Sequence, residues 1–278
     1  MTFKTYLLLF SFFFLSFSSL AKIDTVTTYS PSMQKDIKAV VITPESYNQD
    51  TQYPVVYLLH GYSGDYKNWV SRVPSIQEQA DRFGVIIVTP DGNYGSWYLD
   101  SPIIEESKYE TYIAKELVAW IDQHYSTRKD RSGRAIAGLS MGGHGAFYLA
   151  FKHQDVFAMA GSMSGGLDIR PFPQNWELAS LLGSYGEQPD NWEKHSVINL
   201  THKLTPGSLA LIFSCGIDDF FYEANVKMHE KLLYQNIPHT FISAPGGHTW
   251  DFWEETLPYH LQFFHDQFVK DQVADTTE

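Results

Sequence analysis

The chain has 278 residues, of which 44% are hydrophobic and 15% aromatic, so it can bury the core of a globular domain and is neither disordered nor fibrous. Acidic residues outnumber basic residues by 32 to 20, and the formal net charge is -12. This balance argues against binding to nucleic acid or to an anionic membrane, because such binding needs clustered Lys and Arg. The single cysteine, Cys215, excludes an intramolecular disulfide and a cysteine-based metal site.

The first segment of the chain predicts a secretory signal peptide at residues 1–21. Lys4 precedes an apolar run at residues 6–17, and Ala21 closes a short segment that contains small residues, as at a signal peptidase site. The run is shorter than the roughly 20 apolar residues of a membrane-spanning helix, so we expect no stable membrane anchor. A secreted or periplasmic protein is therefore expected after cleavage near Ala21, with a single domain over residues 22–278.

Apolar runs of strand length recur along this domain and alternate with helical patterns. The runs lie at residues 54–59, 85–89, 135–139, 157–163, 209–214 and 240–244. Continuous runs of this kind are typical of strands that are covered on both faces. Helices are predicted over residues 108–125, after Ser140 and over residues 222–234. The polar, alternating residues 24–43 favour antiparallel edge strands. The pattern predicts an α/β fold, a mostly parallel central sheet with helices on both faces.

Residues 165–207 interrupt this alternation of strands and helices. They contain several prolines and aromatic residues, with one short helical patch near residues 178–182. We expect an excursion over the carboxyl edge of the sheet, where it is either a plain surface loop or a cover over the active site.

A candidate nucleophile lies between a predicted strand and a predicted helix. Residues 138–142 read GLSMG, which matches G-x-S-x-G, and this context predicts a sharp turn that exposes the Ser140 hydroxyl. A serine hydroxyl needs a histidine to take its proton and an acid to orient that histidine. Where a G-x-S-x-G serine lies between a strand and a helix, the acid and the histidine follow it along the chain in the order Ser, Asp, His. His248 satisfies that order in a glycine-rich loop directly after a predicted strand.

Two adjacent aspartates compete for the role of the acid. Asp218 and Asp219 follow the strand that ends at Ser214, and both side chains cannot point at one imidazole. The spacing from Gly216 favours Asp219. The alternative role for either residue is that of an N-cap for the helix that follows.

An oxyanion hole needs two backbone N–H groups, one of them from the residue after the nucleophile. Met141 supplies the first. The second is predicted in HGYSGDYKNW at residues 60–69, with the Tyr62 amide preferred and the Ser63 amide as the alternative. His60 has no second ligand at a metal-site spacing, so we interpret it as a residue that shapes this loop.

Five ordered motifs together resemble one branch of the α/β-hydrolases. The motifs are HGYSGDYKNW, PDGNYGSWYLDSP, GLSMGGHGA, CGIDDFFYEAN and PGGHTWDFW, and the similarity runs over residues 53–264. They resemble the esterase D-like family, which includes tributyrin esterases, S-formylglutathione hydrolases, feruloyl and acetylxylan esterases and mycolyltransferase antigens. The resemblance implies an α/β-hydrolase fold and an esterase with Ser140 as nucleophile, His248 as base and Asp219 as the orienting acid.

Aromatic residues near these motifs are candidate walls of a substrate pocket. Asn93, Tyr94 and Trp97 lie in the PDGNYGSWY segment, and Trp250 follows His248. Such walls suit a sugar ring or a hydroxycinnamoyl group, although tryptophans at these positions can equally pack the ends of the sheet. No cofactor is implied, because the chain has neither a phosphate-binding glycine loop after a strand nor a P-loop. No metal is implied, since the calcium-like start at Asp91 lacks its closing acid.

These features predict an exported serine carboxylic-ester hydrolase that acts through a Ser-His-Asp triad and an acyl-enzyme. Its expected partners are small-molecule or carbohydrate ester substrates, either short-chain acyl esters or acetyl and feruloyl esters of carbohydrates. The alternatives are an acyltransferase, a thioester hydrolase of the S-formylglutathione type and, from another class, a catalytically silent glycan-binding protein.

Overall fold

A computed structural model describes residues 23–275 of the chain, and the predicted signal peptide lies outside these residues. The strands are β1 (Ile23–Ser30), β2 (Lys35–Ile42), β3 (Val55–Leu59), β4 (Ile86–Pro90), β5 (Arg134–Leu139), β6 (Met159–Met163), β7 (Ala210–Gly216) and β8 (Thr240–Ala244). The α-helices are α1 (Asn68–Arg72), α2 (Ile76–Phe83), α3 (Tyr109–Thr111), α4 (Val118–His124), α5 (Met141–Lys152), α6 (Leu178–Leu182), α7 (Pro189–His195), α8 (Tyr222–Tyr234) and α9 (Trp250–Asp275). Within residues 23–275, none of the helices is both long and apolar enough to cross a membrane.

The strands form one sheet of eight in the order β1-β2-β4-β3-β5-β6-β7-β8. Strands β3 to β8 pair in parallel, whereas β1 and β2 are antiparallel at one edge, as the alternating pattern of residues 24–43 predicts. Every residue of β3, β4, β5 and β6 is buried, because helices cover both faces of the sheet. In the register, Leu59 lies opposite Gly138 and Leu139 lies opposite Met163. The loops that carry the sequence motifs therefore leave the sheet at one common edge.

The core has two layers, one on each face of the sheet. On one face, Tyr57 of β3 and Phe147 of α5 belong to a cluster that also includes Met228 of α8. On the other face, Trp69 of α1 and Phe264 of α9 belong to a second cluster. The long helix α9 was not predicted.

Two helical predictions are wrong in detail. Residues 108–125 do not form one regular helix, because the π-helical segment Tyr112–Leu117 separates α3 from α4. Its wider turn accompanies a buried hydrogen bond of 2.7 Å between the hydroxyls of Tyr112 and Thr28. The excursion at residues 165–207 holds more helix than predicted, namely α7 and the 3-10 helix Val197–Lys203 in addition to α6. Pro189 stands in the first turn of α7, where proline favours a helix start.

Candidate active site

The turn between β5 and α5 places Ser140 at the centre of the sheet edge. Ser140 has φ 54° and ψ -116°. This conformation is energetically unfavourable for any residue with a Cβ atom and is typical of functional sites. Its amide donates to the Met163 carbonyl oxygen at 2.9 Å, which anchors the strained turn to β6. A Cβ atom at Gly142 would lie 2.5 Å from the Leu59 carbonyl oxygen. Only glycine lets α5 start this close to the end of β3.

Ser140, His248 and Asp219 form one hydrogen-bonded chain. The Ser140 Oγ lies 2.9 Å from His248 Nε2, and His248 Nδ1 lies 2.8 Å from Asp219 Oδ2. The other carboxylate oxygen of Asp219 accepts the Phe221 amide at 2.8 Å. Asp219 is only 5% exposed, so little water competes for its oxygens. With Nδ1–H donating to Asp219, Nε2 is free to accept the serine proton.

The neighbouring aspartate takes no part in this chain. The Asp218 side chain is exposed, and its amide donates to the Gly246 carbonyl oxygen at 2.9 Å. The alternative role as N-cap is wrong for both residues, because the N-cap of α8 is Phe221 and no side chain caps this helix. Asp219 instead accepts the amide of Phe221 itself.

Two backbone N–H groups from different segments are available as oxyanion donors. Met141 is the first residue of α5, so its N–H has no acceptor within the helix. In the part of the chain that the structure describes, the Tyr62 amide also has no acceptor. The Ser63 amide donates to the Tyr94 carbonyl oxygen at 2.7 Å and is therefore already used. This geometry favours Tyr62 over Ser63 as the second donor.

His60 links the loop after β3 to the loop after β4. Its ring is 1% exposed, with Nδ1 2.8 Å from the Gly61 carbonyl oxygen and Nε2 2.8 Å from the Gly92 amide. Burial lowers the pKa of His60, which keeps the ring neutral. A neutral ring donates to Gly61 through Nδ1–H and accepts from Gly92 at Nε2.

The nucleophile opens into a cleft of about 530 Å³. The side chains that line it include Asn68, Arg72, Trp176, Phe220, Trp250 and Trp253. The Phe220 ring lies 4.2 Å from the His248 ring and 5.7 Å from the Trp176 ring, centroid to centroid. Trp176 belongs to the 165–207 excursion, so this segment does contribute to the cleft.

The predicted pocket residues are only partly in this cleft. Trp250 lines it, but the prediction for Trp97 is wrong, because the Trp97 side chain is 1% exposed and packs between His144 and Trp176. Asn93 and Tyr94 line a second cavity of about 300 Å³, together with Lys35 and Tyr109.

Sequence reasoning missed Trp176, Phe220, Asn68 and Arg72 as lining residues. Phe220 and Asn68 lie within quoted motifs, next to Asp219 and beside Trp69, so their position in the sequence is a usable signal. Trp176 lies in a loop whose path no local pattern predicts.

Comparison with known proteins gives consistent results over most of the chain. A family model described as "Putative esterase" matches residues 30–264. An acetyl esterase from Caldicellulosiruptor saccharolyticus is 28% identical over 259 residues, which cover 84% of this chain and 94% of that protein. The diacylglycerol acyltransferase/mycolyltransferase Ag85B from Mycobacterium leprae is 27% identical over 241 residues, which cover 73% of each chain.

A solved structure of a ferulic acid esterase superposes with a TM-score of 0.78 at 29% sequence identity. The superposition covers 90% of this chain and 99% of that one. The predicted fold, an α/β-hydrolase with a mostly parallel sheet, is confirmed.

Proposed function

Because the chain belongs to the esterase family and is a carboxylesterase, we propose that it hydrolyses esters through a Ser140–His248–Asp219 triad and an acyl-enzyme. The observation that carries this proposal is the hydrogen-bonded chain from Ser140 Oγ through both imidazole nitrogens to Asp219 Oδ2, at 2.9 Å and 2.8 Å. Two members of the triad, Ser140 and His248, line the cleft that the substrate would enter. Family membership and site geometry thus agree on the same chemistry.

In the first step, Ser140 Oγ attacks the ester carbonyl carbon while His248 Nε2 takes the hydroxyl proton. Asp219 holds Nδ1–H and stabilises the imidazolium that forms. The negative charge that develops on the carbonyl oxygen is received by the N–H groups of Tyr62 and Met141, each worth about 3 kcal/mol of barrier. The ester C–O bond then breaks, and the alcohol leaves with the proton from His248 Nε2.

In the second step, water replaces the alcohol and follows the same route in reverse. His248 takes a proton from water, the resulting hydroxide attacks the acyl carbon, and the carboxylic acid leaves as Ser140 recovers its proton. An acceptor alcohol in place of water would turn the same machinery into an acyltransferase. The resemblance to a mycolyltransferase makes this the second candidate function.

For the substrate we propose short-chain acyl esters or acetyl and feruloyl esters of carbohydrates. The support comes from the acetyl esterase and ferulic acid esterase among the similar proteins and from the aromatic side chains of Trp176, Phe220 and Trp250 in the cleft. Flat aromatic faces pack well against sugar rings and hydroxycinnamoyl groups.

The proposed site of action is outside the cytoplasm, in the periplasm or the medium. The support is the predicted signal peptide at residues 1–21. N-terminal sequencing of the exported protein tests this, with Lys22 as the expected first residue. An N-terminus that retains residues 1–21 would contradict it.

Initial rates on a substrate panel test the proposed function. The panel contains p-nitrophenyl acetate, butyrate and octanoate, methyl ferulate and acetylated xylan, with the Ser140→Ala variant as blank. We expect turnover that disappears in the blank and is greatest on the acetyl or feruloyl members. Product analysis with added alcohol separates hydrolysis from acyl transfer. No turnover above the blank on any member contradicts the esterase proposal.

A further inference from the structure

The cleft above Ser140 differs in charge from the chain that surrounds it. The whole chain carries a formal net charge of -12, with 32 acidic side chains. Among the described residues that line the cleft there is no Asp, Glu or Lys, and the one Arg is Arg72. A positive group therefore stands in an entrance that the rest of the molecule makes unattractive to anions.

Arg72 is held on a rigid support. It is the last residue of α1, one turn after Trp69, whose ring is fully buried and whose Nε1 donates to the Leu59 carbonyl oxygen at 3.0 Å. The Trp69 ring also packs edge-on against Trp250 at 5.3 Å, and Trp250 is itself a cleft residue. Helix α1 is thereby fixed both to the end of β3 and to the wall of the cleft.

Among the described residues, the guanidinium of Arg72 has no counter-ion. Its side chain is exposed, and within residues 23–275 no carboxylate lies within 4.0 Å of it. Arg170, by contrast, is paired with Asp168 at 2.8 Å. A planar guanidinium that is free, fixed at its base and open to the cleft is suited to bind a carboxylate through two parallel hydrogen bonds.

We propose that Arg72 is a specificity-determining residue that selects ester substrates carrying a carboxylate close to the scissile bond. This inference rests on the proposed esterase function and narrows its substrate class to acidic esters. The carboxylate can belong to the acyl part, as in a monoester of a dicarboxylic acid, or to the alcohol part, as in an acetylated uronic acid. Asn68 and Ser63 also line the cleft.

Two matched substrate pairs test the proposal and distinguish these sources. The acyl pair is p-nitrophenyl hexanoate and mono-p-nitrophenyl adipate. The alcohol pair is the acetyl esters of methyl glucoside and methyl glucuronoside. In each pair the ratio of kcat/KM for the anionic member to that for the neutral member is measured at low and high salt. The proteins are the unaltered chain, Arg72→Gln, and Arg82→Gln as a control that removes the same charge from α2.

We expect Arg72→Gln to lower that ratio by about tenfold in one of the pairs, and high salt to lower it in the unaltered chain but much less in the variant. The pair that responds identifies the part of the substrate that holds the carboxylate. Arg82→Gln, whose side chain is exposed and lies over the Phe83 ring, is expected to keep the ratio. If Arg72→Gln leaves the ratio unaltered in both pairs, the proposal is overturned. That includes the case in which kcat/KM falls equally on the neutral and the anionic member.

A binding experiment separates this inference from the proposed function. The affinity of Ser140→Ala for the two anionic esters is measured by calorimetry, with and without Arg72→Gln in the same chain. We expect Arg72→Gln to raise Kd for one of them by about tenfold. This result stands even if Ser140 proves not to be the nucleophile, whereas an unaltered Kd for both esters contradicts the role of Arg72 whatever the turnover.

Discussion

The floor of the cleft and its walls are built from different parts of the molecule. The floor consists of Gly61, Leu139 and Ser140, which stand at the ends of the buried central strands β3 and β5. The walls come from segments outside the sheet, among them Trp176 and Phe220. Ser140 is 8% exposed, whereas Phe220 is 51% exposed. The hydrogen-bond ladder of the sheet thus fixes the position of Ser140, whereas the wall residues lie outside that ladder.

The wall formed by Trp176 has its own support. Trp176 and Glu177 have φ values of 50° and 56°, and Trp97 and Tyr98 have 52° and 56°. The buried Trp97 ring lies 5.9 Å from the Trp176 ring, so one strained pair of residues packs on the other. Such backbone strain persists only where the surrounding packing holds it. The excursion at residues 165–207 is therefore tied to the fold at the point where it reaches the cleft.

The largest effect is expected in the proposed triad, whose Ser140 belongs to the floor. His248→Ala removes the base, and kcat is expected to fall on the order of 10⁶-fold on every ester of the panel. Steady-state kinetics measure this, with His202→Ala, an exposed histidine far along the chain, as the control that keeps its activity. A loss that is large on one ester and small on another would assign His248 to substrate recognition instead.

The two adjacent aspartates provide a sharper test of the proposed triad. Asp219→Asn loses the acceptor that fixes Nδ1–H, so we expect kcat to fall about 10⁴-fold. Asp218→Asn makes the same chemical change one residue earlier on an exposed side chain, and a change of less than about twofold is expected. The opposite order of the two losses would show that Asp218 is the acid.

Two buried histidines, on helices α5 and α9, make the stability of the fold sensitive to acid. His144 of α5 and His260 of α9 are fully buried, and burial lowers their pKa values to about 4 and about 3. The unfolded chain takes up a proton on each ring below about pH 6.5, which the folded chain resists. Above about pH 6.5 both rings are neutral in either state, and the folded chain has its full stability. As the pH falls toward those two pKa values, protonation of the unfolded chain lowers the free energy of unfolding.

We expect the free energy of unfolding to fall by about 3 kcal/mol for each of the two rings between pH 6.5 and pH 4. Urea denaturation at a series of pH values measures this change. His260→Gln is expected to reduce the slope of the free energy of unfolding against pH by the equivalent of one proton. Stability that stays constant from pH 7 to pH 5 would show that the two rings take up protons in the folded chain as readily as in the unfolded chain.

The smallest effect is expected at the walls. Trp176→Ala removes an aromatic face while the hydrogen bonds among Ser140, His248 and Asp219 remain, so we expect a change in acyl preference of about tenfold. The readout is the ratio of kcat/KM for methyl ferulate to that for p-nitrophenyl acetate. Trp120→Ala, a tryptophan of α4 that stacks on His124, is the matched control. An equal loss on both esters would place Trp176 among the residues that support the floor.

The difference between floor and walls also explains what can be predicted from the sequence. Ser140 directly follows β5, and Asp219 and His248 stand in the loops after β7 and β8. Their order along the chain, each after a predicted strand, was therefore enough to predict that they meet. Trp97 follows β4 by only a few residues, yet its ring turns inward against His144, which periodicity does not reveal. Trp176 reaches the cleft through contacts between distant segments, and such contacts leave no local pattern in the sequence.

Covalent labelling with an alkyl fluorophosphonate tests the central claim, that Ser140 is the nucleophile, most directly. The reagent is attacked by an activated serine, and the adduct is located by intact-mass measurement and peptide mapping. The account predicts a single adduct on Ser140, with none in Ser140→Ala or His248→Ala, since without its base the hydroxyl is a poor nucleophile. An adduct on another residue in the unaltered chain, or ester hydrolysis that persists in Ser140→Ala, would contradict it.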